Sequence, residues 1–281
     1  MSQPPDSSIS ARRRAFKGLH ASGCFIIPNP WDVGSARYLQ GLGFKALATT
    51  SSGYAWSRGK PDGGASRDEV LEHLRDMVGA TELPVNADFE SGFAPDAQGT
   101  HESVRLAIET GVAGISIEDA SGNAEQPVRP LGEALARLRS ARRAIDEAGG
   151  EVLLVGRAEN FLYGIEDLAD TIVRLKAYAD AGADCLYAPG IRTPEQIAAV
   201  VAAVAPKPIN LLVGSTSTLT LADISALGVR RISVGGALAR SAWGGFIQAA
   251  RTLSEQGRFD GFAQAASGQV LNNFFRGGKL P

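Results

Sequence analysis

The chain has 281 residues, 44% hydrophobic and 21% charged, with a formal net charge of -2. That is material for one large core or two small ones, and the near-neutral balance leaves no electrostatic footprint for nucleic acid or an anionic membrane. Two cysteines, Cys24 and Cys185, each sit in an apolar run, so no disulfide framework is expected; both read as buried strand residues of a protein in a reducing, cytoplasmic compartment.

In chain order, MSQPPDSSISARRR lacks the apolar core of a signal peptide and reads as a polar, helical lead-in over about residues 1–20, with Arg12 to Arg14 as a solvated helix face. Strand-like CFII (24–27) precedes helical VGSARYLQGL. LGFKALAT (42–49) then leads to SRDEVLEHLRDMVGA, PVNA (84–87) to GTHESVRLAIET, and TGVAGISI (110–117) to PLGEALARLRSARRAIDEA. VLLV (152–155) precedes DLADTIVRLKAYADA, AGADCLYA (181–188) precedes TPEQIAAVVAAV, PINLL (208–212) precedes TLADISAL, and LGVRRISV (227–234) precedes SAWGGFIQAARTLSEQ. In four of these phrases a glycine stands between helix and strand, as a helix C-cap does. The longest apolar stretch, IAAVVAAVA, is stopped by Pro206 and is far too short to span a bilayer.

Eight strands alternating with eight helices predict an α/β fold, a (β/α)8 TIM barrel, as a single domain over 1–281 with a C-terminal helical extension in the tail from about 256 to 281. An open doubly wound sheet is the structural rival, but no Gly-rich dinucleotide fingerprint follows any strand. Barrel active sites lie at the C-terminal ends of the strands, so the strand ends carry the functional reading. The first ends in NPWD, with Asp32. The second runs into TTSSGYAWSRGKPD, with Ser52, Gly53, Tyr54 and Asp62. The third ends in Asp88 and Glu90, the fourth in Glu118 and Asp119, the fifth in Arg157 and Glu159, the sixth in YAPG, and the seventh carries Asn210.

If the strand stays extended to its end, Asp88 and Glu90 project from one face and repel by roughly 3 kcal/mol at about 6 Å and an effective dielectric near 20. A divalent cation, a basic side chain or a shared proton would offset this. Asp88, Glu90 and Glu118 form an oxygen-rich set suited to Mg2+ or Mn2+. His20, His73 and His101 all fall in helices or loops, which disfavours zinc. The structural alternative is that strand-end acids cap helices or pair with bases, as Asp32, Asp119 and Glu159 could.

NPWDVGSARYLQGLGFKALATTSSG, GKPD, PVNADFESGF, ISIED, VGRAEN and PIN, in this order and spacing, resemble the isocitrate lyase and phosphoenolpyruvate mutase superfamily over roughly residues 20–250. The resemblance implies a (β/α)8 barrel, often a homotetramer exchanging its last helix. It implies Mg2+ or Mn2+ at Asp88, Glu90 and Glu118, Ser52, Gly53 and Asn210 as substrate-binding positions, Arg157 as a cationic clamp on the substrate, and Asp62 on a closing loop. The activity implied is cleavage of a small 2-oxo or 2-hydroxy carboxylate through a metal-stabilised enolate of pyruvate type.

The chain also departs from the superfamily. EDASGNAEQPVRPLGEAL lacks the cysteine and histidine of the isocitrate lyase loop and the lysine pattern of the mutases, leaving Asn123 and Arg129. Pro189 stands near a position where methylisocitrate lyases carry glutamate, and Glu90 replaces an aspartate. Carbon–carbon lyase or decarboxylase chemistry is therefore expected, with Tyr54, Glu159 or metal-bound water as base. A phosphonopyruvate mutase or hydrolase and a non-catalytic carboxylate-binding barrel are the alternatives.

Overall fold

The computed structural model describes residues 8–278; residues 1–7 of the expected lead-in and 279–281 of the expected tail lie outside the described residues. Helix α1 (Ile9–Leu19) leads into β1 (Phe25–Ile27), α2 (Val33–Gly41), β2 (Leu47–Ala48), α3 (Ser51–Ser57), α4 (Arg67–Ala80), β3 (Val85–Asp88), α5 (Ala97–Glu109), β4 (Gly114–Glu118) and α6 (Leu131–Glu147). Then come β5 (Leu153–Arg157), α7 (Leu168–Asp180), β6 (Cys185–Tyr187), α8 (Pro194–Val204), β7 (Ile209–Leu212), α9 (Leu221–Ala226), β8 (Arg231–Ser233), α10 (Ala237–Gln256) and α11 (Gly268–Phe275).

The eight strands are parallel and run β1-β8-β7-β6-β5-β4-β3-β2, a barrel closed at every ladder but one. At the β1–β2 seam Ala48 N–H donates to the Pro28 carbonyl at 3.1 Å. Asn29 reinforces the seam: its Nδ2 donates to the Thr49 carbonyl at 2.9 Å, while its Oδ1 accepts from the N–H groups of Val234 and Gly235, each at 2.9 Å. One buried amide thus ties the end of β1 to both neighbouring strands. It is a (β/α)8 TIM barrel with a C-terminal helical extension.

Period-2 alternation separates two cores. Outward residues such as Leu47, Val85, Ile115, Ile117, Leu154, Leu186, Ile209 and Ile232 pack against the helices. Inward, Ile27, Leu153, Val155 and Cys185 join Phe16 of α1, which plugs the N-terminal mouth. The repeated glycines Gly43, Gly111, Gly182 and Gly228 all have positive φ, the left-handed conformation that ends a helix and redirects the chain into a strand.

The expected solvated basic run is corrected by this plug at Arg12 and Arg13, while Arg14 is exposed as expected. Arg13 is buried, its Nε and Nη2 donating to the carbonyls of Val112 (3.0 Å) and Ile108 (2.9 Å), and Arg12 donates to the Val78 carbonyl at 3.0 Å. Cationic side chains here satisfy the C-terminal carbonyls of the helices above them. Cys185 is a buried strand residue as expected; Cys24 is half-buried and precedes β1. No helix among the described residues is long and apolar enough to cross a membrane.

Candidate active site at the C-terminal mouth of the barrel

Below the rim, the inward positions of β3, β4, β7 and β8 are Asn86, Ser116, Asn210 and Ser233. Barrel interiors are usually filled by bulky branched side chains. These small polar ones leave a cavity of about 530 Å³, also lined by Thr50, Ser52, Asp62, Asp88, Arg157, Tyr187 and Arg231.

Arg157, at the end of β5, organises the rim. Its Nη1 lies 3.2 Å from Asp88 Oδ1 and 3.0 Å from Glu118 Oε2, and Nη2 lies 3.1 Å from Glu159 Oε2, with Nε on the other Glu159 oxygen. Its guanidinium carbon sits 5.2 Å from the centroid of the Tyr187 ring. Burial opposes its charge, but Glu118, Glu159 and Asp88 together outweigh that and hold it protonated well above the usual range. Glu159 anchors Arg157 through both of its oxygens, and like Glu90 and Glu118 it stands just outside the cavity lining, which Asp88, Asp62 and Arg157 reach.

Asp88 also accepts from the Ser51 N–H at 3.0 Å, and its own N–H donates to Thr49 Oγ1 at 2.9 Å. Glu90 corrects the extended-strand expectation: β3 ends at Asp88, and Glu90 adopts φ +46°. Its carboxylate still feels Asp88, and burial first, then Asp88 and Asp62, push its pKa up to about 7. Its Oε1 is buried without a hydrogen-bond partner. Burial raises Glu118 well above the carboxylate range despite Arg157.

Four carboxylates, Asp88, Glu90, Glu118 and Glu159, thus share one guanidinium. A dense set of carboxyl oxygens whose ionised forms burial disfavours, together with the unpartnered Glu90 oxygen, fits a hard divalent cation. Among the described residues no three His, Cys, Asp or Glu side chains converge to enclose an ion, so one held here would complete its shell with water and substrate oxygens, as Mg2+ commonly does.

The remaining candidates divide. Ser52 and Asp62 line the cavity, and Asp62 is pushed upward by burial and then by Asp88. Asn210 lines it too, but Nδ2 donates to Ser233 Oγ (2.9 Å) and Oδ1 accepts from Arg231 Nε (2.8 Å). Gly53 is buried in α3, its N–H donating to the capping Thr50 hydroxyl at 3.3 Å; a Cβ there would lie 2.7 Å from Thr50 Cγ2 and 3.0 Å from Trp31 Cβ. Its smallness serves packing. Tyr54 turns away from the cavity: its ring stacks on His73 at 4.0 Å and its hydroxyl donates to the Glu69 carbonyl at 3.1 Å, which corrects its placement as a catalytic base.

Asp32 and Asp119 have structural roles. The former caps α2 through Ser35, and the latter accepts from the Glu159 N–H (2.8 Å), Arg174 (3.1 Å) and Tyr178 (2.5 Å). Arg129, the basic residue of the loop after β4, donates to the Ser121 carbonyl (3.3 Å) and faces Glu133 (3.7 Å), outside the cavity. Of the polar layer beneath the strand ends the sequence pointed to Asn210 but not to Asn86, Ser116, Ser233 or, above all, Arg231. Its signal was the spacing of Arg231 and Ser233, which puts both on the inner face of β8.

The phosphoenolpyruvate phosphomutase family model matches residues 16–254. The chain belongs to this family. That places it in the isocitrate lyase and phosphoenolpyruvate mutase superfamily that its motifs resemble, among enzymes of lyase and mutase type. It is 46% identical to a candidate lyase/mutase from Burkholderia cenocepacia J2315, with a TM-score of 0.93 over 97% of this chain and 99% of that one. A candidate phosphonomutase from the same organism is 34% identical, with a TM-score of 0.80 over 89% and 100% of the respective chains. An oxaloacetate decarboxylase of Rhodopseudomonas palustris (strain BisA53) is 30% identical over 79% of this chain and 77% of its own.

Proposed function

We propose that this family member is a divalent-metal-dependent lyase that breaks a carbon–carbon bond, by decarboxylation or retro-aldol cleavage, in a small 2-oxo or 2-hydroxy carboxylate, leaving an enolate of pyruvate type. The observation that carries the reading is Arg157, held among Asp88, Glu118 and Glu159 at the mouth of a polar cavity of about 530 Å³. Similarity to an oxaloacetate decarboxylase supports the bond type.

Asp88, Glu90 and Glu118 would hold Mg2+ or Mn2+, in part through water. Bound there, the ion would supply Lewis-acid charge for the substrate's carboxylate and 2-oxygen. Arg157 contributes a second fixed positive charge where negative charge grows, so it binds the transition state more strongly than the ground state. Glu159 keeps that guanidinium from swinging away. Ser52 contributes a hydroxyl donor to the substrate carboxylate, and Gly53 and Asn210 act by shaping the wall that presents it. Asp62, raised toward its protonated form, is the lining acid placed to exchange a proton with the substrate. The chain works as a homo-oligomer built through α10.

The test is Mg2+-dependent pyruvate or 2-oxo acid release across oxaloacetate, 2-alkylmalates, methylisocitrate and phosphonopyruvate, with a chelator and Glu118→Ala as controls. Turnover of one carbon substrate, lost in both controls, is expected. Turnover of phosphonopyruvate alone would move the reading to phosphorus–carbon chemistry. Oxalate binding with no turnover would make the barrel a carboxylate sensor.

A further inference from the structure

The cavity continues below the acidic rim and ends on a second arginine. Arg231, on the inner face of β8, is 2% exposed and lines the cavity. Its guanidinium bonds only neutral amide oxygens, Nε to Asn210 Oδ1 at 2.8 Å and Nη1 to Asn86 Oδ1 at 3.3 Å. Two of the five N–H donors of an arginine are thereby used. Among the described residues no carboxylate pairs with it, and burial pulls its basicity down. The contrast with buried Arg137 and part-buried Arg157 is sharp. Arg137 spends its donors on the carbonyls of Ser91, Ala94 and Pro95 and on the Thr100 hydroxyl, and Arg157 is over-supplied with carboxylates. An isolated buried charge is costly unless something pairs with it, and the open side of Arg231 is the cavity.

We propose that Arg231 is the floor of a carboxylate-binding subsite, which takes a second acidic group of the substrate at the end away from the pyruvyl unit. Asn210 and Asn86 fix the guanidinium from the sides. Ser233, which holds Asn210 by a 2.9 Å hydrogen bond, and Ser116 leave the shaft open above it. The two ends of the cavity then differ, with acids gathered around Arg157 at the rim and an arginine without a carboxylate partner at the base. A 2-oxo or 2-hydroxy dicarboxylate threads both ends, whereas a monocarboxylate leaves Arg231 unpaired. Arg231 is thus a specificity-determining residue. The orientation of the substrate rests on the proposed lyase reading; the anion site at the floor does not.

The experiment is calorimetric titration of the Mg2+-loaded protein with oxalate, too short to leave the rim, and with pyruvate and 2-oxo dicarboxylates of increasing length. Wild type is expected to prefer the best dicarboxylate over pyruvate by about tenfold or more, the scale of a buried charge pair. Arg231→Met should abolish that preference while leaving oxalate affinity within about threefold. Arg231→Lys, which keeps the charge but loses the fork, serves if the Met variant does not fold, and should weaken the preference by at least about threefold. A preference that survives substitution, or an equal loss for oxalate and dicarboxylate, overturns the proposal. If wild type does not bind oxalate at all, the rim reading has failed and the floor is judged by succinate without metal. A rise in Tm present in wild type and absent from the variant sustains the subsite, and no rise in wild type sinks it.

Discussion

Arg157 pairs with Asp88, Glu118 and Glu159 at once, so its loss should be felt in stability as well as rate. Arg157→Ala strands buried carboxylates, at a cost of about 3–5 kcal/mol in urea unfolding, and should lower kcat/KM by roughly a hundredfold or more. Unchanged kinetics in a folded variant would remove the clamp. His73 gives a prediction in pH. It is buried against Tyr54, its Nε2 has no partner, and burial lowers its pKa to about 4 from 6.5. Below pH 6.5 the unfolded chain therefore binds a proton that the folded chain refuses, so stability falls as pH drops from 6.5 towards 4. Between pH 8 and pH 5 this single group should cost about 2 kcal/mol, a loss that His73→Gln removes. Parallel pH slopes for the two proteins would show that His73 titrates normally when folded.

At the level of elements, α1 closes the barrel from below, which predicts a separation of effects. Phe16 is fully buried and touches Gly114, where a Cβ would lie 2.7 Å from its ring. Phe16→Ala should cost about 3–5 kcal/mol in chemical denaturation while KM stays within error, because the cavity walls above it are unchanged. A large change in KM with little loss of stability would contradict the plug. The elements themselves were readable from the sequence because period-2 and period-3.6 patterns alternate cleanly, and because Gly43, Gly111, Gly182 and Gly228 punctuate them. The acids and Arg157 were readable from their place at strand ends. Helix α3 was not. SSGYAWS has poor helix propensity and forms a helix through the Thr50 cap and the close packing of Gly53 on Trp31 and Ala239, which are tertiary facts. Nor could the pattern show that Glu90 leaves the extended conformation, that Tyr54 faces α4, or that Arg13 is buried, since each depends on what lies across the barrel.

At the scale of the whole molecule, α10, the helix that follows the eighth strand, does not behave as a barrel helix. Over its 20 residues α10 buries only Ala239, and Trp243 (40% exposed), Phe246 (61%), Ile247 (43%) and Leu253 (41%) recur at i, i+3, i+4 and i+10, one stripe along its length. An apolar stripe this long needs a partner surface, and beyond it the C-terminal segment adds exposed Phe259 and Phe262. A helix that leaves its own barrel and is covered by a second copy accounts for all of these exposures together. Sedimentation velocity should therefore find a mass that is a multiple of 29.4 kDa. The double variant Phe246→Glu and Ile247→Glu should shift it to a smaller species without altering the circular dichroism of the barrel, because substitutions at exposed positions change the stability of a single subunit by only about 0.5 kcal/mol. A wild-type chain that sediments as a monomer at micromolar concentration would leave the stripe without its partner and reject this assembly. The arrangement also bears on catalysis. Helix α10 starts at Ala237, beside Gly235 and Gly236 of the cavity wall, and a Cβ on Gly236 would lie 2.8 Å from Ser52 Oγ. In the assembly proposed above, a partner gripping α10 would fix the wall against which Ser52 is placed, so the dissociated variant should show a raised KM before any loss of kcat.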